Sequence, residues 1–189
     1  MSTEENPELE KSYSLEEIED LRKEHKFDFK HTLSDAILYL LFADDEPIKG
    51  KIKQMKEVFM ALNDLLPRDS FQPVYFRKHK FGPYSEEVEN TIDHLVFTNY
   101  IVVDGKRNTK NFAIDLTQKG TKHIQPKFIL LPETTQKLLS KKRKEWDTHI
   151  STGILNLVYR DYAEYLENSV FKKRYAGLDW DNDEQKAEE

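Results

Sequence analysis

The stretch from Phe81 to Leu116 constrains the fold of this chain more than any other. Phe81-Gly82-Pro83-Tyr84-Ser85 leads into a segment whose apolar residues Val88, Ile92, Leu95 and Val96 recur at helical spacing, to about Asn99. Tyr100–Asp104 and Asn111–Leu116 then read as two strands around a turn-rich cationic tip, Gly105-Lys106-Arg107-Asn108-Thr109-Lys110. Ile101, Val103, Phe112, Ile114 and Leu116 are the candidate inward residues. A helix running straight into a basic hairpin is the second half of a winged helix-turn-helix domain. Such domains mostly touch nucleic acid, and a minority hold proteins instead.

The residues upstream supply the missing half. Leu33, Ile37, Leu40 and Leu41 form one stripe, with Thr32 or Ser34 as candidate cap, and Asp44-Asp-Glu-Pro47 ends it. A second helix is expected to carry Ile48, Ile52, Met55, Phe59, Leu62 and Leu66 on a buried face, with Lys49, Lys53 and Lys56 on the opposite, solvated side. Phe71–His79 alternates aromatic and polar residues, as an extended arm does. Ser85 is the expected N-cap of the third helix, with Glu86 and Glu87 in its first turn complementing the helix dipole. Downstream, Thr117–Gly120 opens a short helix or turn that Pro126 breaks, and Pro132 precedes a helix through Leu138, Leu139 and Trp146. A last helix, Ile154 to Tyr175, is expected to repeat Leu155, Tyr159, Tyr162, Leu166 and Val170 as an aromatic-rich seam of the length that dimerising helices use.

Charge divides the chain. Residues 1–30 hold ten carboxylates and five cations, and residues 179–189 hold six and one, whereas 31–178 is net positive, with 23 cations against 19 carboxylates. The expected organisation is α+β. An acidic N-terminal extension (1–30) precedes a winged-helix domain (31–120), followed by a C-terminal helical extension (121–178) and a disordered acidic tail (179–189). Ser14-Leu-Glu-Glu17 fits a capping box for a short helix in the first extension. The 34% share of charged residues is a pattern more common in thermophilic sources. The chain has no cysteine, so disulfides and cysteine-ligated metals are excluded. No run of apolar residues approaches the length of a membrane span, and a cytoplasmic location without membrane association is expected.

Two segments carry a family likeness. Lys49-Gly-Lys-Ile-Lys-Gln-Met-Lys-Glu-Val-Phe59 has a basic start followed by an apolar stripe, and Lys80-Phe-Gly-Pro-Tyr-Ser-Glu-Glu-Val88 is followed by Leu95 and Asn99-Tyr-Ile101. Over roughly 31–120 the chain resembles the YwgA-like group of prokaryotic winged-helix proteins, whose relatives include the Panacea antitoxin domains. The first segment departs from that group's usual Arg-Thr/Ser-Lys start. The resemblance implies the fold more than any activity.

Catalysis has little support in the residues. The six histidines show no metal-ligand spacing, no glycine-rich phosphate loop is present, and no serine sits in a nucleophile elbow. A non-enzyme needing neither cofactor nor metal is expected. If the third helix entered a major groove, it would present Glu86, Glu87, Glu89, Asn90, Asp93 and His94, mostly carboxylates facing a polyanion. The basic residues lie elsewhere: Lys106, Arg107, Asn108, Thr109 and Lys110 at the wing, Arg77, Lys78 and Lys80 before the third helix, and Lys141–Lys144 late in the chain. The expectation is a homodimeric, DNA-associated factor, a transcriptional regulator or chromatin-type protein. It would grip the phosphates of double-stranded DNA through the wing and the Arg77, Lys78, Lys80 patch. The rival is an antitoxin-like or adaptor module that holds a protein partner on the same scaffold.

Overall fold

In the computed structural model, residues 31–106, 109 and 111–175 are described. The acidic segments 1–30 and 179–189, the expected Ser14 cap, and Arg107, Asn108 and Lys110 lie outside them. Helix α1, Leu33–Asp44, is the centre of the molecule. Thr32 caps it reciprocally: its hydroxyl accepts from the Asp35 amide, and the Asp35 carboxylate accepts from the Thr32 amide at 2.8 Å. Leu33, Ala36, Ile37, Leu38, Tyr39, Leu40 and Leu41 are all buried. A helix that is apolar on nearly every side has to be enclosed, and the helices that follow α1 in the chain surround it.

After α1, a two-residue strand β1, Ile48–Lys49, pairs with β5, Ala113–Leu116, which in turn pairs with β4, Ile101–Asp104. The antiparallel sheet therefore runs β1-β5-β4. This corrects the expected second helix, because Ile48 belongs to the sheet. Gly50, at φ 91°, turns the chain into α2, Lys51–Met60, a backbone conformation that a helix interior does not accept. α2 ends in a π-helical turn over Ala61–Leu65. Its lysine face is corrected too. Lys53 and Lys56 are buried along with Gln54 and Glu57, because protein covers α2 on both sides.

The extended arm folds into a second hairpin, β2 (Arg77–His79) with β3 (Gly82–Tyr84). Gly82-Pro83-Tyr84, expected as a turn, is thus a short strand. Helix α3, Glu86–Phe97, buries Val88, Ile92 and Leu95 as its spacing predicts. Ser85 occupies the cap position but makes no side-chain cap bond; the residue is buried and its amide donates to Met55 Sδ at 3.4 Å.

Helix α4, Gln118–Ile129, runs through Pro126, which does not break it. Thr117 caps it, accepting from the Gly120 amide at 3.0 Å. Gly120 has no room for a side chain, since a Cβ there would lie 2.0 Å from the Tyr100 carbonyl oxygen. α5 spans Glu133–Asp147 and α6 spans Ser151–Asp161. Helices α3, α4 and α5 all pack on α1. The single last helix expected to Tyr175 is instead three pieces: α6, a 3-10 turn over Ala163–Leu166, and a short α7, Lys172–Tyr175. Leu155 and Tyr159 are enclosed by the chain's own core, Tyr162 and Leu166 pack against it, and only Val170, 58% exposed, faces outward. The expected dimer seam is therefore not a continuous outer face.

The result is an α+β molecule, mostly helical, with seven α-helices and a small antiparallel sheet among the described residues. Its element order is compatible with a winged-helix-like fold carrying the β2–β3 hairpin between α2 and α3. None of these helices is long and apolar enough to cross a membrane.

Candidate nucleic-acid interface

The two hairpins and the start of α2 converge on one cleft of about 900 Å³. Lys49, Lys51, Lys53 and Lys56 enter it from β1 and α2, His79, Phe81 and Tyr84 from the β2–β3 hairpin, and Thr109 from the wing tip. The α5–α6 junction closes the far side with Asp147, His149, Ile150 and Ser151. Four lysines line it against two carboxylates, Glu89 and Asp147, and exposed Lys49 with half-exposed Lys51 makes its rim cationic.

The cations differ in availability. Lys49 is exposed at the rim. Lys51 is half-exposed and pairs with Glu89 at 2.8 Å. Lys53 is committed inward: its Nζ lies 2.6 Å from Asp147 Oδ1 and 3.6 Å from Glu57 Oε1. Lys56, 2% exposed, donates to the Pro83 carbonyl oxygen at 2.7 Å. Burial alone pushes its ammonium down to about 7, because no carboxylate lies close enough to hold the charge. His79 stands against the Tyr84 ring, at 4.9 Å between centroids. Burial, followed by the charges of Arg77, Lys56 and Lys80, lowers its pKa from the ordinary histidine value.

The patch before α3 is less free than its sequence implies. Arg77 Nη2 lies 2.8 Å from Glu86 Oε1, with the guanidinium 5.0 Å over the Tyr84 ring. Lys78 pairs with Glu167. Both pairs are exposed, where solvent screens them and they add little, so a phosphate can replace either carboxylate at small cost. Lys80 remains exposed on the hairpin turn. At the wing, Lys106 is exposed, but the Thr109 hydroxyl donates to the Lys106 carbonyl oxygen at 2.6 Å. Thr109 therefore closes the turn, where donation to a phosphate was expected.

The Lys141–Lys144 run is not one surface. Arg143 is fully buried, reaching the Glu46 carbonyl oxygen at 2.9 Å, Asp147 at 2.6 Å and Glu57 at 3.4 Å. Burial raises the Glu57 carboxyl to about 7, against the pull of Arg143 and Lys53. Burial also acts to raise Asp147, but Arg143 and Lys53 outweigh it and hold that carboxylate below its ordinary value. The network ties α5 to α2 at the back of the cleft.

Of the described residues expected to touch phosphate, Thr109 alone lines the cleft, while Lys80 and Lys106 lie exposed outside its lining; Lys49, Lys51 and His149, which do line it, were not among the expected contacts. The Lys49-Gly50-Lys51 triplet carried the available signal, a cationic turn at a glycine. The outward face of α3 presents Glu86, Glu87, Asn90, Asp93 and His94 and ends in Phe97, 88% exposed. Among the described residues, no group of three or more histidines and carboxylates is arranged to hold a metal ion. Neither a protein-family model nor a curated protein matches the chain.

Proposed function

We propose that α1, β1, α2, α3, β4 and β5 constitute a winged-helix unit, and that the protein is a non-enzymatic nucleic-acid-associated factor. It takes the phosphate backbone of duplex DNA into the cationic cleft, without inserting α3 in a groove. The strand order β1-β5-β4, with the wing between its last two strands, supports the first part. The observation that carries the second is the convergence of Lys49 and Lys51 with the wing tip and the β2–β3 hairpin on one cleft. A cleft of this kind neutralises phosphates without reading bases, so binding should be tolerant of sequence and steep in salt. The acidic outer face of α3 argues against base readout by that helix.

Fluorescence anisotropy with a labelled random duplex, at about 50 and about 200 mM salt, tests the reading. The double variant Lys49→Glu, Lys106→Glu should bind about tenfold or more weakly at the lower salt, with the salt slope reduced by about 1 for each phosphate that is no longer neutralised. Equal affinity and slope in variant and parent would sink it.

A second reading rests on a separate observation. The carboxylate face of α3, ending in exposed Phe97, has the character of a protein-docking helix, with an apolar anchor beside charge. If the parent protein fails to bind duplex even at low salt, this protein-interaction reading takes precedence.

A further inference from the structure

The cleft is cationic at its rim and apolar within, and the chain leaves the described structure beside it. Ile52, Met55, Phe81 and Ile150 supply the apolar lining, and Phe81 and Ile150 are exposed. Phe171 lies 6.0 Å from Phe81, centroid to centroid, and Tyr175, the last described residue, lies 5.1 Å from Tyr159. The Tyr159 ring in turn borders Gly82, where a Cβ would lie 3.3 Å from it. The described chain therefore ends, at Tyr175, on the Phe81 side of the cleft.

The chemistry of residues 176–189 complements the cleft. The segment runs Leu178-Asp179-Trp180-Asp181-Asn182-Asp183-Glu184, two apolar side chains set among four carboxylates, and carries six carboxylates and one lysine in all. Extended at about 3.3 Å per residue it reaches roughly 45 Å, ample to cross a cleft of this volume. We propose that residues 176–189 occupy the cleft of their own chain, Trp180 against its apolar lining and the carboxylates on Lys49 and Lys51, as an internal anionic ligand that a nucleic-acid backbone must displace. The displacement half rests on the nucleic-acid reading above; the docking half does not. A short tether holds such a segment at about 1 mM effective concentration. An intrinsic affinity of about 0.1 mM then keeps the cleft about nine-tenths occupied and weakens external binding about tenfold.

Two measurements on the full chain test the halves separately. The first uses Trp146→Phe, which leaves Trp180 as the only tryptophan. At low salt, Trp180 emission should be shielded from acrylamide, and exposed by high salt or by Lys49→Glu with Lys51→Glu. Full quenching at low salt overturns docking, and shielding that grows with protein concentration overturns docking within one chain. The second measures duplex affinity of Asp179→Asn, Asp181→Asn, Asp183→Asn, Glu184→Gln, which should tighten about tenfold. Unchanged affinity with the parent still binding duplex overturns the competition alone. A shielded Trp180 in a protein that binds no duplex leaves docking standing and removes the nucleic-acid reading.

Discussion

Lys56 shows how one side chain can invert what its position in a pattern suggests. It stands where an exposed lysine stripe is expected, yet it is enclosed with a single carbonyl partner and its pKa falls to about 7. Between about pH 7 and its ordinary value of 10.5, the unfolded chain holds a proton here that the folded chain does not, so stability rises with pH across that window. Lys56→Met should be at least as stable as the parent at pH 7 and should lose most of the gain seen on going to about pH 9.5, a difference of a few kcal/mol by urea titration. An identical pH dependence in both proteins would show that the ammonium is not desolvated. Glu57 acts with the opposite sign. Its carboxyl, raised from 4.5 to about 7, makes the folded chain the stronger proton binder between those values, so stability falls as pH rises through them.

Elements meet through such residues. α5 is joined to α2 by Arg143, whose charge lies among Glu57, Asp147 and the Glu46 carbonyl. Arg143→Met removes the cation beside Glu57 and Asp147 and should cost up to about 3–5 kcal/mol at alkaline pH, and less below about pH 7, where the Glu57 carboxyl takes a proton. Adding Glu57→Leu should recover most of that loss, because the charge that needed a partner is gone. A double-mutant cycle by chemical denaturation reads the coupling directly, and additive losses would contradict it. Legibility also differs by element. α1 and α3 were readable because capping residues and apolar stripes are local signals, and β4 and β5 because alternation around a glycine turn is local too. β1 was not. Two residues are too short to show a period, and Ile48 sits in a strand only because β5 lies beside it. Pro126 misled for a similar reason: a proline costs a helix about 3 kcal/mol, and here Ile124 and Phe128, buried on either side of it, hold α4 against the core.

At the scale of the whole molecule, the break in the last helix decides how the chain presents itself. Tyr159, expected on a dimer seam, is fully buried, shares a 2.6 Å hydrogen bond with Ser169 and lies against the Tyr175 ring. Tyr159→Ala should lower stability by about 3–5 kcal/mol and leave the sedimentation coefficient of the folded fraction unchanged. Dissociation of a larger species without loss of stability would restore the seam. The candidate site was legible only in part. Lys80 and Lys106 could be named from their places in a hairpin and a wing, but the cleft itself is lined by Lys49, Lys51, Phe81, Thr109 and His149, which span about a hundred residues of chain. No local pattern encodes such a meeting.

The sequence alone determined where α1, α3, α4 and α5 start, which residues flank the wing, and that the charge of the chain is unevenly divided, since capping, periodicity and composition act over a few residues. Only the tertiary structure decided which cations face solvent. Lys53, Lys56 and Arg143 are drawn inside while Lys49, Lys80 and Lys106 stay out, and the difference is whether another element covers them. Burial is a property of neighbours that the chain brings together from a distance, and it sets both the pKa of a lysine and its freedom to meet a phosphate.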